Sequence, residues 1–289
     1  VKAFLFIGQG VELPWVDDDV LAEPTVRELV ACASEHARCD VLRLLARGGR
    51  DLDRSEVVQP AMVAVCLGVH RMFGVQPAVV LGHSLGELTA WAAAGGIRDE
   101  DAIAIAATRG RLMAREAARH PGGMVRIKGE LALARRAADE AGATIGAFNA
   151  PDEYAIAGDE AALAYILPRF PAVRLAVAGA WHSPAMAGAV DELAAALTAV
   201  SKQPMHAKMI VNRDGSIAKD ADVPELFVGQ LTRPVQWAAA LATLARLEPT
   251  RLLAIGPGKT LRALVHRNLG VGREVEMIDS MRAIERARA

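Results

Sequence analysis

Ser84 is the residue in this chain best placed to do chemistry, because it stands in the middle of Gly82-His83-Ser84-Leu85-Gly86. The preceding Pro77-Ala78-Val79-Val80-Leu81 is an apolar run of strand length, and apolar residues recur at helical spacing from Glu87 to Ile97. Strand, sharp turn and helix in that order make a nucleophile elbow. The flanking glycines permit a turn too tight for side chains, and the serine hydroxyl is held out at the helix N-terminus. The next amide, that of Leu85, is then free to stabilise an oxyanion. The pattern alone also fits a glycine-bounded turn with a serine N-cap.

A serine hydroxyl at its free pKa is a weak nucleophile, so a base must lie within hydrogen-bond reach, and histidine is the usual one. Among seven histidines, His182 stands out in Trp181-His182-Ser183-Pro184, where the chain returns from a change of texture and a cleft wall is expected. A histidine at a helix start is the plainer alternative. His83 adjoins Ser84, but an elbow turns its side chain away, as a packing residue. His36, His70, His120, His206 and His266 lie in amphipathic or polar stretches and read as structural. Arg109 follows the apolar run Ile103-Ala104-Ile105-Ala106-Ala107-Thr108. A guanidinium there needs a partner, either a carboxylate of a neighbouring helix or a ligand carboxylate held bidentately. Gln9, in Gly8-Gln9-Gly10, and Gln59 could line a site or serve as turn and helix-start residues.

The elements that must position these groups alternate between strand and helix. A strand at 2–7 runs into Gly8-Gln9-Gly10, helical patterns cover 19–47 and 58–73 with Pro60 in a first turn, and a helix spans 99–118. From Met124 the order becomes strand 124–127, helix 130–141, strands 143–148 and 153–157, helix 160–169 and strand 172–177. That is the split β-α-β-β-α-β pattern of a ferredoxin-like unit. The main pattern resumes at Pro184 with a helix to about 201, a strand near 208–211, and helices from 223 and over 235–247. A strand at 251–255, the turn Gly256-Pro257-Gly258 and a helix from 260 follow. The expected fold is α/β: a large α/β-hydrolase-like lobe with a parallel sheet, residues 1–122 and 181–289, plus an inserted small ferredoxin-like subdomain, residues 123–180, with a cleft between.

Composition narrows the partners. A chain of 289 residues, 52% hydrophobic, can bury a large core, and a net charge of −1 with both signs dispersed leaves no footprint for nucleic acid or an anionic membrane. Cys32, Cys39 and Cys66 are odd in number and lack CxxC spacing, which indicates neither a disulfide framework nor a zinc site. A reducing cytoplasm fits. Val1-Lys2-Ala3-Phe4 does not open a signal peptide, and no uninterrupted apolar stretch of about 18 residues occurs, so a soluble, unanchored protein is expected.

Taken together, these features resemble the malonyl-CoA:acyl-carrier-protein transacylase family, to which polyketide synthase acyltransferase domains belong. The likeness spans nearly the whole chain. It runs through Phe6-Ile7-Gly8-Gln9-Gly10, Val58-Gln59-Pro60-Ala61, Gly82 to Glu87, Thr108-Arg109-Gly110-Arg111-Leu112-Met113, Phe148-Asn149-Ala150-Pro151 and Ile156-Ala157-Gly158. Trp181-His182-Ser183-Pro184-Ala185-Met186, Pro234-Val235-Gln236-Trp237 and Gly256-Pro257-Gly258-Lys259 complete it. The resemblance implies a ping-pong acyl transfer. Ser84 would attack the thioester of malonyl-CoA with His182 as base, and the amides of Gln9 and Leu85 would hold the oxyanion. The phosphopantetheine thiol of a holo acyl carrier protein would then take the acyl group. Arg109 would clamp the malonyl carboxylate, with Gln59, Trp181 and Asn149 lining the substrate site. The family's histidine is oriented by a main-chain carbonyl or an amide side chain near the Gly-Pro-Gly turn. The resemblance further implies a monomer with no tightly bound cofactor and no metal, malonyl-CoA being substrate.

Ile7 replaces the family's proline before Gly-Gln-Gly, and Val11-Glu12-Leu13-Pro14-Trp15 is a shortened, atypical continuation. This leans away from the housekeeping fatty-acid enzyme, towards a stand-alone polyketide acyltransferase or the transacylase component of malonate decarboxylase. Trp181 is bulkier than the phenylalanine common before the active histidine, and by sterics disfavours a 2-methyl branch. Other readings remain: a serine hydrolase or thioesterase, a transacylase for a different acyl group, or an idle scaffold for a carrier. A hydrolase wants an acidic residue between serine and histidine, where Asp152 and Asp159 lie.

Overall fold

The computed structural model describes residues 1–9, 16–48, 50–256 and 258–288. In chain order come β1 (Lys2–Phe6), α1 (Asp18–Ala22), α2 (Pro24–Ala37), α3 (Val41–Arg47), α4 (Ser55–Phe73), β2 (Val79–Gly82), α5 (Gly86–Ala93) and α6 (Asp99–Arg119). Next are β3 (Gly122–Lys128), α7 (Leu131–Ala141), β4 (Thr144–Ala150), β5 (Glu153–Asp159), α8 (Glu160–Ile166) and β6 (Ala172–Arg174). The chain closes with α9 (Val190–Thr198), β7 (Lys208–Ile210), α10 (Val223–Gly229), α11 (Trp237–Arg246), β8 (Arg251–Ile255), α12 (Thr260–Leu269), β9 (Glu276–Ile278) and α13 (Met281–Arg288).

Strands β1, β2 and β8 are apolar runs buried along nearly their whole length, as strands covered by helices on both faces must be. They build a five-stranded parallel sheet in the order β7-β2-β1-β8-β9. Phe6, the last residue of β1, pairs with Gly82 on one side and Ile255 on the other. The three strands therefore end level, and the turns after them emerge along one edge, where open α/β sheets bind ligands. The second sheet is antiparallel in the order β4-β5-β3-β6, the arrangement expected of a split β-α-β-β-α-β unit, with its own core of Val125, Ile127, Ile156, Leu163 and Ile166. Its β4 edge meets the rest of the chain where Phe148 N–H donates to the Val235 carbonyl at 2.8 Å. This is the α/β architecture read from the sequence, a parallel and an antiparallel sheet in one chain.

Several elements depart from expectation. The helical stretch 19–47 is three helices, broken at Glu23-Pro24 and again at Arg38, whose left-handed φ of 55° ends α2 before Asp40 caps α3. Helix α4 starts at Ser55, so Pro60 sits inside it, where its ring nitrogen cannot donate to the Glu56 carbonyl. Residues 184–189 form a 3₁₀ segment ahead of α9, and β6 stops at Arg174. Strand β9 and helix α13 close the chain beyond the elements that periodicity predicts. Among the described residues no helix is long and apolar enough to cross a membrane.

Candidate active site

The turn from β2 to α5 is as tight as the glycines imply. Ser84 sits at φ 52°, a left-handed conformation strained for a serine. A Cβ on Gly82 would overlap the Gly86 backbone, and one on Gly86 would overlap the Phe6 carbonyl of the neighbouring strand. Asn212, just past β7, stitches the elbow together: its Oδ1 accepts from the Ser84 amide at 2.7 Å and its Nδ2 donates to the Gly82 carbonyl at 2.6 Å. The Leu85 amide donates to no carbonyl among the described residues, which leaves it available at the foot of the hydroxyl. Gln9 follows Gly8, whose missing Cβ lets the end of β1 lie against the His83 carbonyl. The atypical segment from Gly10 to Trp15 lies outside the described residues.

His182 comes to Ser84 from 98 residues away, with Nε2 at 2.7 Å from Oγ. Its Nδ1 lies 2.7 Å from the Gln230 carbonyl, which can only accept, so Nδ1 carries the proton and Nε2 offers its lone pair to the serine. Burial, and secondarily the charge of Arg109, push the imidazole pKa down to about 3, keeping it neutral and ready to take a proton. The orienting carbonyl belongs to Gln230, at the end of α10, and not to the described residues of the Gly-Pro-Gly turn. Gly256 instead faces Cys66, and Pro257 lies outside the described residues.

Arg109 is 1% exposed, and no carboxylate stands within ion-pair distance of it among the described residues. Nη1 donates to Gln59 Oε1 at 2.9 Å and Nη2 to Gln230 Oε1 at 3.1 Å, with Ser84 Oγ 3.5 Å from Nη2. Desolvation draws its pKa down to about 10, leaving a cation at neutral pH. Among the described residues no carboxylate of a neighbouring helix forms an ion pair with this arginine, and Glu87 of α5 acts on it only through its charge. Gln59 is fully buried and acts on Arg109; it is braced in turn by Gln9, which reaches Ser55. Gly110 lets α6 approach this corner, because any Cβ there would overlap the Ser55 carbonyl.

Three residues of the site were not found from the sequence. Gln230 is its hub, since its carbonyl holds His182, its Oε1 holds Arg109, and its Nε2 donates to the Ser84 carbonyl and to Glu87 Oε2. Glu87, 1% exposed, also accepts from the Asn212 amide at 2.8 Å. Burial pushes its carboxyl up to about 7, against the hydrogen bonds from Asn212 and Gln230 that favour the anion. A carboxylate in the first turn of an apolar elbow helix was a usable signal for Glu87, and an asparagine directly after a strand for Asn212. Nothing local marks Gln230.

His83 turns away from Ser84 and packs edge-on against Trp237, with Nε2 2.8 Å from Asn149 Oδ1. His83, Asn149 and Gln9 line a cavity of about 520 Å³ that extends along Thr260, Leu261 and Leu264. Trp181 is buried beside His182, its ring lying over Gly179 towards Ala117. Asp152 pairs with Arg267 and Asp159 caps α8, so neither reaches the imidazole. His70 lies buried edge-on to Phe4 and Phe6.

A sequence model of the acyl transferase domain matches residues 4–283. The chain belongs to the acyl transferase domain family. This acyltransferase is 33% identical over 281 residues to the malonyl CoA-acyl carrier protein transacylase of Mycobacterium tuberculosis strain H37Rv, covering 92% of this chain and 93% of that one. The crystal structure of MCAT from Mycobacterium tuberculosis superposes with a TM-score of 0.91 at 29% identity, covering 100% of the acyltransferase and 99% of that chain. A malonyl-transacylase solved in complex with its holo type II PKS acyl-carrier protein gives 0.91 at 27% identity, covering 99% and 98%.

Proposed function

We propose that this acyltransferase is a malonyl-CoA:acyl-carrier-protein S-malonyltransferase working through an acyl-Ser84 intermediate. The observation that carries this reading is Arg109, a buried cation with no carboxylate within ion-pair distance among the described residues, 3.5 Å from a serine hydroxyl that is itself bonded to a neutral imidazole. A substrate carboxylate is the counter-charge such a site lacks.

Ser84 Oγ attacks the thioester carbonyl as His182 Nε2 takes its proton, and the amides of Leu85 and Gln9 hold the oxyanion. The tetrahedral intermediate collapses with release of coenzyme A, whose sulfur takes that proton from His182. The carrier's phosphopantetheine thiol then gives its proton to His182 and attacks the acyl-serine ester, and Ser84 recovers its hydroxyl. Gln59 and Asn149 serve the substrate by holding Arg109 and by lining the arm's cavity, and Trp181 walls the acyl pocket. Residues 1–122 and 181–289 act as the catalytic lobe and residues 123–180 as the small lobe across the cleft. All these groups come from one chain, which fits a monomer, and three free thiols fit a reducing cytoplasm. A hydrolase with an acidic third member is disfavoured because the imidazole rests on a carbonyl.

Intact-mass analysis after incubation with malonyl-CoA tests the reading. A malonyl adduct should form, vanish in Ser84→Ala, and pass to added holo carrier protein. Release of free malonate with no malonyl-carrier would sink it in favour of a hydrolase.

A further inference from the structure

Four cationic side chains line a single cavity of about 380 Å³ at the edge of the parallel sheet. Lys259 and Arg262 come from the start of α12, Arg282 and Arg286 from α13. All four are exposed, and the carboxylate in the cavity wall is that of Asp279. Arg286 also acts on Glu276, but that carboxylate is already held by Arg251. No ion pair involves any of the four among the described residues. The arginines of α6 differ: Arg115 is tied to Glu116 and Glu192, and Arg119 to Glu116.

The placement of this cavity is specific. Lys259 lines it, while the next residue, Thr260, lines the 520 Å³ cavity that reaches Gln9 and His83 beside the elbow. The start of α12 is thus the wall between the two spaces. In the sheet, β2, which leads into the turn that holds Ser84, lies three steps from β9, which leads into Asp279. At about 4.8 Å per step this separation is roughly 14 Å. An extended pantetheine arm, matching four to five residues of chain in bond count, spans about 15 Å. An arm of that length with its sulfur at Ser84 is long enough to cross those three strand steps past Thr260, towards the side on which the four cations lie.

We propose that Lys259, Arg262, Arg282 and Arg286 are the seat of the nucleotide phosphates of the coenzyme A donor. Several phosphate charges on one ligand match several cations that form no ion pair among the described residues, and three arginine forks suit phosphate oxygens. The carrier's arm brings a single phosphodiester, so the seat favours the donor over the acceptor. This assignment rests on the malonyl-CoA reading above.

The test compares wild type with the exposed double variant Arg262→Glu/Arg282→Glu, its fold checked by thermal unfolding. Ser84 acylation is followed by intact mass with malonyl-CoA and with malonyl-pantetheine, which lacks the nucleotide phosphates. Binding of adenosine 3′,5′-bisphosphate is measured by calorimetry. The ratio of kcat/KM for malonyl-CoA over malonyl-pantetheine should fall roughly tenfold in the variant, and the wild-type ratio should shrink as salt rises. Bisphosphate binding should disappear. An unchanged ratio with bisphosphate binding retained overturns the seat, as does a loss confined to the carrier half-reaction, which would make this face a carrier contact. If neither thioester acylates wild-type Ser84, the malonyl-CoA reading fails by itself, and the calorimetry still decides whether the cations bind the nucleotide phosphates.

Discussion

Replacing Arg109 with alanine should abolish the selection of a carboxylated acyl group while leaving the serine and its base in place. Two of the five guanidinium N–H donors go to the Gln59 and Gln230 amides, Nε–H has no partner among the described residues, and Nη2 reaches only 3.5 Å from Ser84. A ligand carboxylate would therefore meet free donors on a cation already stripped of water. Losing one member of such a buried pair costs about 3–5 kcal/mol, which is roughly 10²- to 10³-fold or somewhat more in kcat/KM for malonyl-CoA. Desolvation draws the arginine pKa from 12.5 down to about 10 against the opposing charge of Glu87, a shift on the order of 3 kcal/mol against the cation that a ligand carboxylate would relieve. An uncharged acyl group such as acetyl does not relieve that cost, so acetyl-CoA should acylate the alanine variant as fast as the wild type or faster. The assay is the rate of acyl-Ser84 formation by intact mass with both thioesters, alongside melting temperatures. A common factor of loss for malonyl and acetyl would refute the reasoning, because Arg109 would then be supporting the elbow and not the carboxylate.

Glu87→Gln bears on stability. The Glu87 carboxyl holds its proton up to about pH 7 in the fold, against 4.5 as its ordinary value, so the folded state binds more protons than the unfolded chain between those limits. Its contribution is present in full below about pH 4.5 and is lost as pH climbs through 7, a change on the order of 3 kcal/mol. Melting temperature against pH should fall from pH 5.5 to 8 in the wild type relative to the glutamine variant; parallel curves would show that Glu87 is not titrating in this range. Trp181→Ala should relax the preference for malonyl over methylmalonyl by about 1–3 kcal/mol in competition between the two coenzyme A thioesters. A ratio that does not move takes the indole out of the acyl pocket wall.

The parts of the site that could be read in advance are those whose physical cause is local. Ser84 was legible because two close backbone approaches, at Gly82 and Gly86, exclude every side chain, and that demand is written within five consecutive residues. Arg109 was legible because a guanidinium in an apolar helical run has no solvent to turn to, although the absence of an ion pair to it among the described residues was visible only once α4, α6 and α10 were in place. Other features depend on competition between elements. The stretch 19–47 has helical periodicity throughout, yet the chain bends at Glu23-Pro24 and Arg38 to wrap the core. Strand β9 has three residues and α13 is dominated by charge, so neither stands out before Ile278 and Ile284 find the sheet and its core.

Gln230 marks the boundary most clearly. Its amide and carbonyl bind Ser84, Arg109, Glu87 and His182, but it approaches the elbow from 146 residues away, and a glutamine after a short helix resembles any solvated one. Asn212 reaches the Ser84 amide from 128 residues away for the same reason. Residue types and spacing determined by themselves the candidate nucleophile, the candidate base, the buried cation and the alternation of strands that frames them, because sterics, periodicity and the cost of burying charge act along the chain. Tertiary structure decided which proton the imidazole carries, which amides hold the cation and which carboxylate lies beneath the elbow. Those depend on hydrogen bonds a few ångströms long between segments that the sheet order alone brings together.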